Sequence, residues 1–108
     1  MKLYIGGAYQ GQQELAELEN EGAIIMSAFH EKVREILAQE TDPREFALQL
    51  CITSPDAVIV SDEIGSGIVP ISAEERAWRE AVGRALCIIA QHSQSVTRVV
   101  CGIGVRIK

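Results

Sequence analysis

The run Ala57-Val58-Ile59-Val60 constrains the fold of this chain more than any other segment. It is continuously apolar and rich in β-branched side chains, so it predicts a strand that is buried on both faces. Such strands are typical of parallel sheets that have helices on each side. The segment that follows, residues 61–70, contains two glycines and a proline, and it predicts a loop at the carboxyl end of this strand.

Strand-like and helix-like segments alternate along the rest of the chain. Further strands are predicted at residues 3–5, 23–26, 99–101 and 105–107. Helices are predicted at residues 12–20, 27–37, 43–53 and 73–91, with Ser27 as a candidate cap of the second and Ser72-x-x-Glu75 as a capping box of the fourth. This order predicts a single α/β domain over residues 1–108, with ligands bound at the carboxyl ends of parallel strands.

Charge and composition exclude several classes of partner. The net charge of −5 argues against nonspecific binding to nucleic acid or to anionic membranes. No apolar run approaches the roughly 20 residues of a membrane helix. The three cysteines, Cys51, Cys87 and Cys101, each lie in an apolar stretch, and their number is odd. We therefore expect a cytoplasmic protein with reduced, buried thiols that binds neither nucleic acid nor membrane.

A glycine-containing loop follows the first predicted strand. Its spacing matches the P-loop pattern G-x-x-x-x-G-K-[ST], and it lies between a strand and a helix as that motif requires. The candidate nucleotide-binding residues are Gly6, Gly7, Ala8, Tyr9, Gln10, Gly11, Gln12 and Gln13. Gln12 stands where a lysine would reach the outer phosphates, and Gln13 stands where Ser or Thr would hold Mg²⁺. The alternative is a tight strand-to-helix turn that binds no ligand.

The second half of the chain carries a more specific pattern. It contains Val58-Ile59-Val60-Ser61-Asp62-Glu63-Ile64-Gly65-Ser66-Gly67-Ile68-Val69-Pro70, then Arg76-Ala77-Trp78-Arg79 with Gly83, and finally Cys101-Gly102-Ile103-Gly104-Val105-Arg106-Ile107-Lys108. Together with the opening Gly6-Gly7-Ala8, this resembles the adenosylcobinamide kinase/adenosylcobinamide-phosphate guanylyltransferase family of cobalamin assembly. The resemblance is strong over residues 57–108 and partial over residues 1–18.

The resemblance implies a P-loop NTPase-like three-layer α/β/α fold with a mostly parallel central sheet, truncated in the middle. It implies Mg²⁺ with GTP or ATP as cofactors, and a nucleotide and a corrinoid as candidate ligands. The candidate metal residues are Asp62 and Glu63, and the candidate substrate or loop residues are Gly65, Gly67, Pro70, Arg76 and Arg79. Each carboxylate or arginine has a plain alternative as a surface ion pair. Family resemblance also implies a homo-oligomer, in which Trp78 is expected to be an anchor for packing or for a subunit interface.

His30-x-x-x-Arg34 resembles the sequence around the family's histidine that takes up guanylate covalently, so His30 is the catalytic candidate. A solvated surface histidine is the alternative. The family's Asn-Gln pair is absent, because Leu86-Cys87 stands in its place. Two functions therefore remain open: a kinase/guanylyltransferase-like protein that acts on or near adenosylcobinamide through a degenerate P-loop, or a noncatalytic relative that serves as a nucleotide- or corrinoid-binding or assembly module. A third is the same fold turned to an unrelated ligand.

Overall fold

A computed structural model describes residues 1–64 and 72–108 of this chain. This part forms a five-stranded sheet with four helices, as the alternating pattern predicts. The strands are β1 (Lys2–Gly6), β2 (Ile25–Met26), β3 (Val58–Asp62), β4 (Ser95–Val100) and β5 (Ile103–Arg106). The helices are α1 (Gln12–Glu19), α2 (Phe29–Ala38), α3 (Pro43–Thr53) and α4 (Ala73–His92).

The strand order is β2-β3-β1-β4-β5, which places the first strand at the centre of the sheet. β1 runs parallel to both β3 and β4, and β2 runs parallel to β3. β4 and β5 form an antiparallel hairpin at the edge. Gly6, the last residue of β1, pairs with Asp62 on one side and with Val99 on the other. The carboxyl ends of the three central strands therefore meet at Gly6, where open α/β sheets bind ligands.

Helices cover both faces of the sheet, which confirms the predicted three-layer arrangement. On one face, Phe29 and Val33 of α2, together with residues of α3 and α4, pack against Leu3 and Ile59. On the other face, α1 packs against Tyr4, Val58, Val60 and Val99 through the fully buried Ala16. The sheet alternates its side chains between the two faces, so both layers follow from the strand period.

The strand boundaries differ from the sequence predictions. β3 continues through Asp62, so residues 61 and 62 belong to a strand and not to the predicted loop, because Ser61 is buried and pairs with Ile5. The strand predicted at residues 23–26 contains only Ile25–Met26. The strand predicted at residues 99–101 is β4, which begins earlier, at Ser95. The strand predicted at residues 105–107 is β5. Pairing with β1 from Lys2 onward extends β4 over its polar residues.

Of the two caps that the sequence predicts, Ser72 is confirmed and Ser27 is wrong. The hydroxyl of Ser72 accepts a hydrogen bond from the backbone amide of Glu75 at 3.1 Å, at the start of α4. Asp42 caps α3 in the same way, through the backbone amide of Arg44 at 3.0 Å. Ser27 does not cap α2, because the capping position is occupied by Ala28 in a left-handed conformation with φ 52°. No side-chain hydrogen bond caps that helix.

The prediction of three buried thiols is wrong for two of them. Cys87 lies on the exposed side of α4 and Cys101 lies in the turn after β4, so both are open to solvent. Cys51 is half-buried, and burial raises the pKa of its thiol. Within residues 1–64 and 72–108, no helix is both long enough and apolar enough to cross a membrane.

Candidate functional site

The loop after β1 has a backbone that alternates in handedness. Tyr9 has φ 62° and Gly11 has φ 92°, so two left-handed residues flank Gln10. Gly11 is also the N-cap of α1, and a Cβ atom there would lie 3.3 Å from the Cα of Gly102. Loops with this alternation form concave nests in which successive backbone N–H groups face an anion. The left-handed conformations of Tyr9 and Gly11 are of the kind found in such nests.

The turn between β4 and β5 holds this loop in place. The carbonyl oxygen of Gln10 accepts a hydrogen bond from the Gly102 amide at 2.7 Å. The side-chain oxygen of Gln10 accepts a second from the Cys101 amide at 2.8 Å. Ala8 and Tyr9, at the tip, are exposed. Sequence reasoning assigned Gly102 only to a turn, and the Gly102-x-Gly104 spacing was the available signal for a closer role.

Gln12, the first residue of α1, lies directly after this loop and is almost completely buried. Its side-chain amide nitrogen is 3.2 Å from the Gly6 carbonyl, 3.1 Å from the Gly7 carbonyl and 2.7 Å from Oδ1 of Asp62. An amide nitrogen has only two hydrogens to donate, so these acceptors saturate it. The side chain at the P-loop lysine position is thus used to join β1, the loop and β3 within the protein.

The remaining P-loop position and the two acidic candidates are dispersed. Gln13 donates to Oε1 of Glu17 at 2.8 Å, along the surface of α1. Asp62 faces the cavity described below, whereas Glu63 pairs with Arg98 at 3.2 Å and does not line that cavity. Among the residues that the structure describes, no three His, Cys, Asp or Glu side chains are placed to hold a metal ion. Gln13 also offers no hydroxyl, so this arrangement lacks the Ser or Thr ligand with which a P-loop holds Mg²⁺.

His30 lies in the first turn of α2, and its side chain is only 13% exposed. Nδ1 accepts a hydrogen bond from the backbone amide of Asp62 at 3.1 Å. Nε2 lies 3.7 Å from Oδ2 of Asp62 and 3.9 Å from Oε1 of Glu31. The fold therefore places this histidine against the end of β3, beside Asp62, and not on a solvated helix face.

A cluster of side chains joins α2 to α4 behind His30. The indole nitrogen of Trp78 donates to the His30 carbonyl at 2.8 Å, and the Arg34 guanidinium lies 3.7 Å from the centre of the indole ring. Arg34 also pairs with Glu75 at 3.6 Å. Trp78 is thus a packing anchor, which is one of its two predicted roles. This cluster fixes the start of α2 relative to α4.

Two of the predicted substrate residues, Arg76 and Arg79, do not line this site. Arg76 is exposed and Arg79 is half-exposed, both in the first two turns of α4, and neither is among the described residues that line the cavity. Gly65, Gly67 and Pro70 lie outside the described residues.

A cavity of about 690 Å³ lies beside the loop, bordered by the first turns of α1 and α2 and the end of β3. Its polar groups include the carboxylates of Glu14 and Asp62 and the imidazole of His30. Leu15 and Val60 contribute apolar wall. No lysine or arginine lines the cavity among the described residues. The cavity therefore places two carboxylates and an imidazole beside the loop after β1.

Comparison with known proteins agrees with the resemblance seen in the sequence. Over residues 11–107, the chain matches the family model described as cobinamide kinase/cobinamide phosphate guanyltransferase. It is 45% identical over 51 residues to the bifunctional adenosylcobalamin biosynthesis protein CobU of Escherichia coli (strain K12), a match that covers 47% of this chain. The matched part spans 28% of that protein's length. Because the family match extends over most of the chain, this protein belongs to the cobinamide kinase/cobinamide phosphate guanyltransferase family.

Proposed function

We propose that this protein is a noncatalytic member of its family that binds a nucleotide at the loop after β1, in the service of cobalamin biosynthesis. The observation that carries the proposal is the position of Gln12. Its amide is saturated by Gly6, Gly7 and Asp62, so it leaves no group at the lysine position to neutralise a phosphoryl group in transfer.

Nucleotide binding without transfer is supported by the loop backbone. Tyr9 and Gly11 have left-handed conformations of the kind found in anion-binding nests, and α1 begins directly after Gly11. Backbone donors alone supply fewer charge-assisted bonds than a loop with lysine. We therefore expect weak binding, with a dissociation constant of about 1 μM or higher, which corresponds to about −8 kcal/mol or less favourable.

Mg²⁺ contributes little in this arrangement. Gln13 donates to Glu17 and offers no hydroxyl to the ion, and Oδ1 of Asp62 is bonded to Gln12. We expect GTP and ATP affinities with and without Mg²⁺ to differ by less than about threefold, since the charge-assisted contacts that couple ion and nucleotide are lacking.

Calorimetric titration with GTP, ATP and adenosylcobinamide tests binding, and assays for phosphoryl and guanylyl transfer to adenosylcobinamide test catalysis. Nucleotide binding with no turnover supports the proposal. Turnover of either kind by the unmodified protein would contradict the proposal and identify a kinase/guanylyltransferase-like enzyme. Binding of adenosylcobinamide alone would identify a corrinoid module instead, and binding of none of the three would leave an assembly role.

Two variants locate the missing chemistry at the loop. The double change Gln12→Lys and Gln13→Ser restores the motif, and we expect it to strengthen nucleotide binding about 10- to 100-fold, as charge-assisted hydrogen bonds of about 1.5–3 kcal/mol imply. Gln12→Met with Gln13→Ser is the matched control, because methionine has similar length but no charge. Equal affinities of the two variants would show that the loop does not hold phosphate.

We also propose that copies of the chain associate through the edge hairpin. Its apolar side chains are unusually open, at 49% for Val100, 68% for Ile103, 55% for Val105 and 60% for Ile107. The outer side of β5 has no neighbouring strand among the described residues, and such edges readily pair with other chains. Light scattering of the unmodified protein and of Val105→Lys tests this. A monomer before the substitution would refute it.

A further inference from the structure

His30 and His92, the two histidines of this chain, are held by opposite kinds of backbone group. Nδ1 of His30 faces the amide of Asp62 at 3.1 Å, and a backbone amide can only donate. Nδ1 of His92 lies 2.9 Å from the carbonyl oxygen of Ile88, which can only accept. In a neutral imidazole, one nitrogen carries the proton and the other carries the lone pair. The two histidines therefore require opposite tautomers.

The proton of neutral His30 is accordingly on Nε2, because the lone pair of Nδ1 is engaged by Asp62. Nε2 lies 3.7 Å from Oδ2 of Asp62 and 3.9 Å from Oε1 of Glu31, and both distances exceed the usual hydrogen-bond length. His30 lines the cavity. The Nε2 hydrogen is thus not used by either nearby carboxylate.

We propose that His30 is locked by the Asp62 amide in the Nε2–H tautomer, so that it offers the cavity a hydrogen-bond donor and not a nucleophile. Forming a bond from Nε2 to phosphorus needs a lone pair on that nitrogen. Providing one would move the proton to Nδ1, where it would point at the N–H of Asp62 and lose the bond between α2 and β3. An acceptor atom of the ligand, such as a phosphoryl oxygen or a base oxygen, is the group that this donor fits. The identity of that ligand as a nucleotide rests on the proposed function; the tautomer does not.

The decisive experiment is a long-range ¹H–¹⁵N correlation spectrum of the imidazole groups, recorded at about pH 8 so that free imidazole is neutral. His92→Gln assigns the remaining signals to His30. We expect a protonated Nε2 and a bare Nδ1 for His30, and the reverse pattern for His92, which serves as the internal reference. A protonated Nδ1 on His30 would overturn the proposal, whether or not the protein binds nucleotide.

Substitutions test the donor role with GTP as the probe. His30→Gln keeps an N–H group near the position of Nε2, whereas His30→Ala removes it. We expect His30→Gln to bind GTP within about threefold of the unmodified protein and His30→Ala to lose about tenfold, as one hydrogen bond implies. Equal losses in the two variants would contradict a donor role.

Incubation with GTP labelled at the α-phosphate tests the excluded chemistry directly. We expect no covalent label on the protein. A labelled, acid-labile product that disappears in His30→Gln would show that His30 acts as a nucleophile and would overturn the proposal. If GTP does not bind at all, the proposed function fails, and the correlation spectrum still decides the tautomer.

Discussion

The carboxylate of Asp62 accepts a hydrogen bond from the side-chain amide of Gln12 at 2.7 Å, across the gap between β3 and the loop after β1. The same amide contacts the carbonyl oxygens of Gly6 and Gly7. One uncharged side chain thereby joins β1, the loop after β1 and β3, at the position where the P-loop pattern has lysine. The residue that stands in place of the phosphate-binding lysine therefore contributes to the stability of the fold.

Gln12→Met removes this donor while keeping the length of the side chain. We expect it to lower the free energy of unfolding by about 1–3 kcal/mol, because the buried acceptors lose their partner. Urea unfolding measures the change. Gln13→Met is the matched control: its amide bonds to Glu17 one turn along α1 on the exposed surface, and such pairs contribute about 0.2–0.5 kcal/mol. Equal losses would contradict a structural role for Gln12.

Gly6→Ala and Gly83→Ala should change stability in opposite directions. A Cβ atom on Gly6 would lie 2.6 Å from the carbonyl oxygen of Val99, so the strands must separate, at a cost of about 1–3 kcal/mol. Gly83 lies in α4, and apart from the adjoining helix backbone no described atom lies within 4 Å of a new Cβ. Alanine there should stabilise the helix by about 0.5–1 kcal/mol. Thermal unfolding of both variants checks this. Destabilisation by Gly83→Ala would show that another surface contacts that position.

Alkaline pH should destabilise the protein through Tyr4. Burial is the main cause that raises the pKa of Tyr4 above 10.0, and the hydrogen bond to Glu19 at 2.7 Å adds to it. The unfolded chain therefore loses this proton at lower pH than the folded one. The stabilising contribution is complete below pH 10.0 and is lost as pH rises through the folded pKa.

Urea unfolding between about pH 8 and pH 11 measures this loss, since that interval spans the ordinary tyrosine pKa. Tyr4→Phe should flatten the dependence of unfolding free energy on pH. Tyr9→Phe is the control, because the Tyr9 ring is fully exposed at the tip of the loop and should leave the dependence unchanged. An equal slope in Tyr4→Phe and the unmodified protein would contradict the assignment to Tyr4.

Thiol labelling should separate the cysteines into two classes. Cys87 and Cys101 are exposed and should react rapidly with an alkylating reagent in the folded protein. Cys51 is half-buried beside Met1 with a raised pKa, so its thiolate is scarcer and its reaction slower. Mass spectrometry at successive times counts the modified thiols. Rapid modification of all three before unfolding would contradict the burial of Cys51.

The fold was largely predictable because the amino-acid composition of the central strands indicates that they are buried. Val58, Ile59 and Val60 are all buried, as a continuous β-branched run predicts. β4 was harder, since Thr97 and Arg98 interrupt its apolar pattern, and only pairing with β1 shows that they belong to a strand. Helix starts with a polar cap, such as Ser72, were predicted, and the start at Ala28 was not, because alanine carries no capping group.

The candidate site was predicted as a set of residues but not as a set of contacts. The P-loop spacing identified Gln12 and the family resemblance identified Asp62 and His30, each separately, because motifs are local in the chain. Their meeting depends on the parallel pairing of β1 with β3 and on the packing of α2, which no local pattern encodes. The role of the Cys101–Gly102 turn in holding Gln10 was missed for the same reason.

The central position of β1 has a consequence for how the chain folds. Lys2 pairs with Ser95, so the sheet closes on residues from opposite ends of the sequence. Bringing such distant residues together costs chain entropy before their contacts form, so topologies with distant contacts fold slowly. The helices α2, α3 and α4 involve nearer neighbours and should form first. Because Gly6 is flanked by Val99 and Gln10 is held by the turn after β4, we expect the loop after β1 to take its final form only when β4 pairs with β1.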